Sequence, residues 1–318
     1  MKKVRWGILG AGNIARQFAS DIAFATNATL QAVGSREGDK AGAFAAEFGI
    51  PRAHGSYENL ISDPDVDAIY IATPHSFHLE HSLAAIRAGK AVLCEKPLTP
   101  SPDECRTLIR AARAHDVYLM EGLWSAFLPS IQKARAWLNE GRIGEIVQVR
   151  ADFGFLAPFD PDSRLWNPSL AGGAMLDIGI YPVAFNRLIL GRGPDEIKSV
   201  IRRASTGVDD QVFSMFQTGD VTSVLSCSFK CNLSNTGSVI GTTGRIDLPN
   251  FWRSTSAFLY ENTTLAEEFL DDRQGDGFEF EIEAASQDIL DGRKQSEIVP
   301  HSLSLALQTD MAKIFGRS

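Results

Sequence analysis

Short apolar runs alternate with stretches of helical spacing through the first third of the chain. Val4 to Leu9 predicts a buried strand, and Asn13 to Phe24 carries apolar residues at helical spacing. Leu30 to Val33 predicts a second strand, followed by an Ala-rich helix from Lys40 to Phe48. Ala68 to Ala72, Ala91 to Cys94 and Val117 to Met120 predict further strands, with a helix over His78 to Ala88 that places Leu79, Leu83 and Ile86 on one side. Ser101-Pro102-Asp103-Glu104 has the form of a helix start, with a capping box and proline at the first helical position. Strand–helix alternation of this kind predicts a parallel sheet covered on both faces.

After about Glu121 the pattern changes. A helix is predicted near Leu128 to Asn139, and then Val147, Val149, Ala151, Phe153 and Phe155 alternate with Gln148, Arg150 and Asp152, as in a half-buried strand. Lys198–Ala204, Gln211–Phe216, Val221–Phe229 and Gly237–Leu248 alternate likewise and predict a largely antiparallel sheet with one polar face. Helical patterns at about Phe280–Leu290 and Leu303–Phe315 close the chain. The fold class expected is α/β: a doubly wound Rossmann domain over 1–121 and an α+β domain with a large open sheet over 122–318. The late helices are free to pack back on the first.

The chain has 318 residues, is 44% hydrophobic and carries a formal net charge of −8. This is a globular composition, and the acidic balance argues against general binding to nucleic acid or anionic membrane. No apolar stretch reads as a membrane span, and no signal peptide follows the basic start, so a cytoplasmic protein is expected. The four cysteines, Cys94, Cys105, Cys227 and Cys231, form no Cys-x-x-Cys pair and read as reduced thiols. Cys227 and Cys231 fall in one alternating segment, on the same face of a strand.

Gly10-Ala11-Gly12-Asn13-Ile14-Ala15 follows the first strand and opens the first helix. Gly10 permits a tight turn, Gly12 lets the backbone approach a pyrophosphate, and Ala15 allows close helix–strand packing. The N–H groups near Asn13 and Ile14 point a helix N-terminus at the phosphates. At the end of the second strand, where a site selective for NAD has an acid, the chain has Ser35-Arg36. A hydroxyl and a guanidinium suit a 2′-phosphate, so NADP is the expected cofactor, with NAD still open.

Lys96, in Glu95-Lys96-Pro97, sits on a strand-to-helix loop at the ligand edge of such a sheet. Tyr181 follows Asp177 by one helical turn. A tyrosine titrates near 10 when unperturbed, and an ammonium nearby lowers that, which makes Lys96 and Tyr181 suited to proton transfer beside a hydride transfer. Asp177 suits a second substrate hydroxyl or Lys96. Residue types alone leave the plain alternative open: a surface lysine, a polar helix residue and a core aromatic. His75, His78 and His81 lack the spacing and companions of a metal site, so no metal is expected.

The glycine turn, Ala72-Thr73-Pro74, His78, Glu95-Lys96-Pro97 and Gly172-Gly173-Ala174-Met175-Leu176-Asp177-Ile178-Gly179 together resemble the Gfo/Idh/MocA oxidoreductase family over essentially the whole chain. Met120-Glu121-Gly122-Leu123-Trp124 and Asp177-Ile178-Gly179-Ile180-Tyr181-Pro182 are similar to its dihydrodiol dehydrogenase and NADP-dependent D-xylose dehydrogenase branch. The resemblance implies that Lys96 and Tyr181 are the catalytic pair and that Thr73, Pro74, His78 and Glu95 lie on the cofactor side. It implies that Arg164 reaches the active site among the cofactor contacts. It also implies a homodimer or homotetramer paired through the exposed face of the C-terminal sheet. Trp124, Phe155 and Trp166 are candidate substrate walls, although such aromatics are more often core. Ser125-Ala126 stands where the branch has Thr-Arg. The activity expected is NADP-dependent hydride transfer to or from a sugar, polyol or cyclic diol. The alternatives are a keto-sugar reductase and a non-catalytic nucleotide sensor.

Overall fold

A computed structural model describes residues 2–317. The chain divides into two compact units, one of residues 1–124 with 274–305 and one of 125–273 with 306–318.

In the first unit, β1 (Val4–Leu9), α1 (Asn13–Asp21), β2 (Ala28–Gly34), α2 (Gly38–Phe48), β3 (Arg52–His54) and α3 (Tyr57–Ile61) form one half. β4 (Ala68–Ile71), α4 (His78–Arg87), β5 (Ala91–Glu95), α5 (Pro102–Ala114) and β6 (Leu119–Gly122) form the other. The six strands are parallel in the order β3-β2-β1-β4-β5-β6. Strand order reverses between β1 and β4, and an open sheet binds its ligands in the crevice at such a switch point. β4 and β5 are buried along their whole length, as helices on both faces require. The expected start of α5 is present: Ser101 Oγ accepts the Glu104 N–H at 3.4 Å, with Pro102 in the first turn.

The second unit opens with α6 (Pro129–Asn139) and β7 (Ile146–Gly154). A π-helical turn over Met175–Gly179 then runs directly into α7 (Ile180–Leu190). β8 (Glu196–Arg203), β9 (Asp209–Thr218), β10 (Val221–Ser228), β11 (Thr236–Gly241), β12 (Gly244–Pro249), β13 (Ser256–Glu261) and β14 (Thr264–Leu270) complete its sheet. The order is β14-β13-β12-β11-β7-β10-β9-β8. The pairing is antiparallel except between β7 and β10. α8 (Phe278–Leu290) returns to the first unit, and α9 (His301–Ile314) begins in the first unit and ends in the second. Asp21 receives α8: its buried Oδ2 accepts the N–H groups of Asp276, Gly277 and Phe278 at 2.9–3.1 Å. A carboxylate there satisfies amides that the helix leaves unpaired and opposes its positive end.

Several expectations need correction. The segment Gly237–Leu248 is two strands, because Thr242-Thr243 turns the chain between β11 and β12. Cys231 lies beyond the end of β10 and is exposed, so it does not share a strand face with buried Cys227. The short β3 and the hairpin β13–β14 had no clear alternating signal. The helical run Pro168–Leu190, at 23 residues and mean hydropathy 1.2, is long and apolar enough to cross a membrane, and 72% of it is buried inside the fold. The uncovered sheet face is less polar than expected: Val200, Phe213 and Met215 are exposed, and Val200 pairs across to Phe213.

Candidate active site

The dinucleotide turn begins where β1 ends. Gly10 has φ +105°, a conformation L side chains rarely adopt, and a Cβ there would come within 2.9 Å of the Ala72 carbonyl oxygen. Its N–H donates to the Gly34 carbonyl at 3.0 Å, which ties the turn to β2. Gly12 is extended at the start of α1, with nothing within 4 Å of the place a Cβ would take. The first turn of α1 has neither a side-chain cap nor an acid, while Gly12 and Asn13 are exposed and Ala15 is fully buried. Uncapped amides beside open space fit a pyrophosphate.

Beyond β2, Ser35 is buried and its Oγ accepts the Glu37 N–H at 3.3 Å, while Arg36 is exposed. No carboxylate occupies the last position of the strand. Burial raises the Tyr57 phenol, and the Arg36 guanidinium beside it opposes that rise.

The lysine loop is held from below. Tyr70, buried in β4, donates its hydroxyl to Glu95 Oε1, and the Lys96 N–H donates to Glu95 Oε2 at 3.2 Å. The Lys96–Pro97 bond is cis. Buried Glu121, at the end of β6, accepts the Leu98 N–H at 2.7 Å. Burial raises the pKa of Glu121, against the Ser304 and Leu98 hydrogen bonds and the charge of Lys96. His78 is fully buried between two carbonyls, with Nδ1 2.8 Å from Pro97 O and Nε2 2.8 Å from Thr73 O. Burial draws its pKa down to about 4, against the pull of both carbonyls. The neutral ring carries one N–H, so it donates to one of these carbonyls and packs against the other, between the lysine loop and the Thr73 loop.

In the second unit, the Gly172-Gly173 turn delivers the π-helical segment. Gly173 has φ +124°, and a Cβ there would fall 2.4 Å from Asp209 Oδ1. Asp209 Oδ2 in turn accepts the Met175 N–H at 2.6 Å. Only glycine lets this carboxylate reach the turn. Asp177, 5% exposed, accepts from Arg164 Nη1 at 2.8 Å. Tyr181, in the first turn of α7, lies 5.8 Å from the Phe153 ring, which stacks on Trp252 at 3.8 Å.

The family model described as the oxidoreductase family with an NAD-binding Rossmann fold matches residues 4–123, and that of the GFO/IDH/MocA C-terminal domain matches 131–247. The chain is 42% identical to a trans-1,2-dihydrobenzene-1,2-diol dehydrogenase of Mus musculus over 79% of this chain and 76% of the relative. The Xenopus laevis enzyme of the same name is 35% identical over 96% of each. The chain belongs to the Gfo/Idh/MocA oxidoreductase family.

Among solved members, an aldose-aldose oxidoreductase from Caulobacter crescentus, complexed with glycerol, superposes with TM-score 0.91 at 26% identity, covering 99% of this chain and 97% of that one. KijD10, a 3-ketoreductase from Actinomadura kijaniata in complex with NADP and TDP-benzene, superposes with TM-score 0.88 at 27% identity, covering 99% and 98%. The chain is accordingly a dehydrogenase acting on hydroxyl groups, with a nicotinamide dinucleotide domain and relatives in the sugar and diol class.

Within this Gfo/Idh/MocA chain the expected residues separate. Gly10, Gly12, Asn13, Ile14, Ser35, Arg36, Thr73, Pro74, Glu95 and Lys96 all lie in the first unit, at or just beyond the C-terminal ends of its strands. His78 sits buried between the lysine and Thr73 loops and offers no free nitrogen to a cofactor. Asp177, Tyr181 and Arg164 lie in the second unit, and Arg164, expected among the cofactor contacts, is the ion-pair partner of Asp177. Trp166 is a core residue and not a substrate wall: it is 1% exposed, packs against Phe159 and Phe229, and gives its indole N–H to Pro158 O at 2.8 Å. Phe155 is half-buried against Phe153 and Phe229. Trp124 is buried and stacks on Phe278 at 4.8 Å. Among the described residues no cluster of His, Cys, Asp and Glu could hold a metal.

Sequence reading missed Tyr70 and Glu121. Each is a polar group inside an otherwise apolar strand, and that contrast was the signal available.

Proposed function

We propose that the chain is an NADP-preferring dehydrogenase of a sugar, polyol or cyclic diol. The observation that carries the cofactor preference is the end of β2. Arg36 stands exposed there beside Tyr57, and the last position of the strand, Gly34, carries no carboxylate of the kind that binds a ribose 2′-hydroxyl. The relatives named for trans-dihydrodiols and aldoses support the substrate class.

A bound nicotinamide would supply the acceptor, or in reverse the donor, of the carbinol hydride. Gly10, Gly12 and the first amides of α1 would hold the pyrophosphate, and Ser35 and Arg36 the adenosine end. Tyr181 takes the hydroxyl proton as the C–H bond breaks, which balances hydride and proton between substrate, dinucleotide and protein. Lys96, an ammonium on the ligand edge of the first unit, is the residue suited to orient the hydroxyl and to favour a phenolate. The Arg164–Asp177 pair offers a second substrate hydroxyl both a donor and an acceptor. A homodimer or homotetramer formed through the uncovered sheet face, where Val200, Phe213 and Met215 are exposed, belongs to the same reading, as does a cytoplasmic location.

The test is NADP+ reduction with a panel of aldoses, polyols and cyclic diols, alongside Tyr181→Phe and Arg36→Ala. Turnover lost in Tyr181→Phe, and a KM for NADP+ that rises far more than that for NAD+ in Arg36→Ala, is the expected result. Turnover unchanged by Tyr181→Phe overturns the mechanism. Equal effects of Arg36→Ala on both cofactors overturn the preference. Oxidation of none of the panel, with reduction of keto sugars instead, moves the substrate to the ketoreductase class.

A further inference from the structure

His81, one turn beyond the buried His78 on α4, faces a different set of neighbours. Its Nδ1 lies 3.0 Å from Thr73 Oγ1. Its ring stands edge-on to Tyr57 at 4.9 Å and stacks with Phe77 at 5.6 Å. The charge of Arg36 acts on both His81 and Tyr57. Three separate segments, the ends of β2 and β4 and the start of α3, thus converge with α4 around His81. The histidine is half-exposed among them.

We propose that His81 is a specificity residue for the cofactor's 2′-phosphate, reading it together with Arg36 and Tyr57. The inference rests on the NADP reading above and adds to it a residue and a sign. Thr73 carries a hydroxyl, which donates to a neutral Nδ1 or accepts from a protonated one, so it holds the ring in either charge state. When the Thr73 hydroxyl donates to Nδ1, the hydrogen of the neutral ring sits on Nε2, and the protonated ring carries one on each nitrogen.

The charged groups around the ring are Arg36, Glu58 and Glu80, with His78 behind it. In the unliganded protein burial disfavours the imidazolium, Glu80 and Glu58 favour it, and Arg36 opposes it, with a net lowering of the pKa. A dianionic phosphate beside Arg36 cancels that repulsion and adds an attraction. The pKa of His81 therefore rises more when NADPH binds than when NADH binds. A group whose pKa rises on binding strengthens binding at low pH, and that gain is lost as pH rises through the bound-state pKa. The phosphate's own second ionisation, near pH 6, acts in the opposite direction, so a variant without the histidine separates the two.

The experiment is fluorescence titration of the full-length protein with NADPH and with NADH from about pH 5.5 to 8.5, across the imidazole range. Calorimetry in two buffers of different ionisation enthalpy accompanies it. Wild type, His81→Gln and His81→Asn are compared, with NADH binding as the check on folding. We expect both variants to bind NADPH about tenfold more weakly at pH 6, the loss of one charge-assisted contact. NADH affinity stays within about twofold, and proton uptake with NADPH is lost. NADPH affinity and proton uptake equal to wild type in both variants overturn the role of His81 while leaving the NADP reading standing. Equal loss for NADPH and NADH overturns it too, in favour of a packing role. A wild type that binds both cofactors alike overturns the NADP reading itself, and the inference with it.

Discussion

Replacing Tyr70 by Phe removes one hydroxyl and little else. The ring is fully buried in β4 and stacks on Phe18 at 4.0 Å with planes 12° apart, so phenylalanine keeps the volume and the stack. What goes is the bond from the hydroxyl to Glu95 Oε1, in a carboxylate whose other oxygen holds the Lys96 amide. A hydrogen bond to a charged acceptor contributes about 1.5–3 kcal/mol, and more of that is felt where water cannot replace the donor. For a unit of this size about 2 kcal/mol corresponds to a fall of about 4–8 °C in Tm. The carboxylate also fixes the backbone from which Lys96 projects, and a displacement of about 1 Å at a catalytic group costs up to about a hundredfold in rate. Thermal unfolding and steady-state kinetics of Tyr70→Phe should therefore show a lower Tm and a kcat reduced about tenfold or more, with the KM for the dinucleotide little changed. A variant with wild-type Tm and wild-type kcat would refute the claim that the bond from β4 positions the lysine loop.

Glu281 is fully buried in α8 with no hydrogen-bond partner on either oxygen among the described residues, and burial, then Glu95 and Asp21, hold its pKa well above the usual carboxylate range. It is neutral in the fold and ionised in the unfolded chain at neutral pH, so its contribution to stability falls as pH rises above about 4.3. Glu281→Gln should raise Tm by about 2–4 °C or more at pH 8, the shift of roughly 1 kcal/mol, and this gain should vanish toward pH 4. A gain independent of pH contradicts the assignment. Cys94, Cys105 and Cys227 are buried and Cys231 is exposed, with burial pushing the Cys105 thiol up to about 12. A thiol reagent should label one cysteine in the folded protein and all four of the sequence after denaturation, and two rapid native labels would show the buried set to be accessible.

The patterns that sequence carries best are local and periodic. Continuous apolar runs in β1, β4 and β5 and helical spacing between them were enough to predict a parallel sheet covered on both faces. The glycine turn was legible because its chemistry depends on backbone shape, which glycine marks directly at Gly10 and Gly12. Alternation revealed β7 to β10, but not that β7 and β10 run parallel, since strand direction is set by which strands meet and leaves no trace in either one. The two-residue turn at Thr242-Thr243 was merged into one strand although Gly241 and Gly244 flank it, because the central positions carry neither the Asn-Gly nor the Gly-x pair that marks a tight hairpin.

Roles that depend on partners distant in sequence were decided by the tertiary structure. Tyr70 and Glu95 are 25 residues apart, and Asp21 meets the start of α8 across about 256, so no spacing rule connects them. His78 and His81 look alike in the sequence as two histidines of one helix. Packing put one between two carbonyls with no face left for a ligand, and left the other half-exposed beside Arg36. Arg164 and Trp166 are two residues apart, yet one is paired to Asp177 and the other sealed into an aromatic core. The sequence by itself determined most of the first unit's strands and helices and what chemistry their ends can carry, because both follow from neighbours along the chain. Which side chains reach a ligand was left to the fold, because burial depends on contacts the chain makes only when folded.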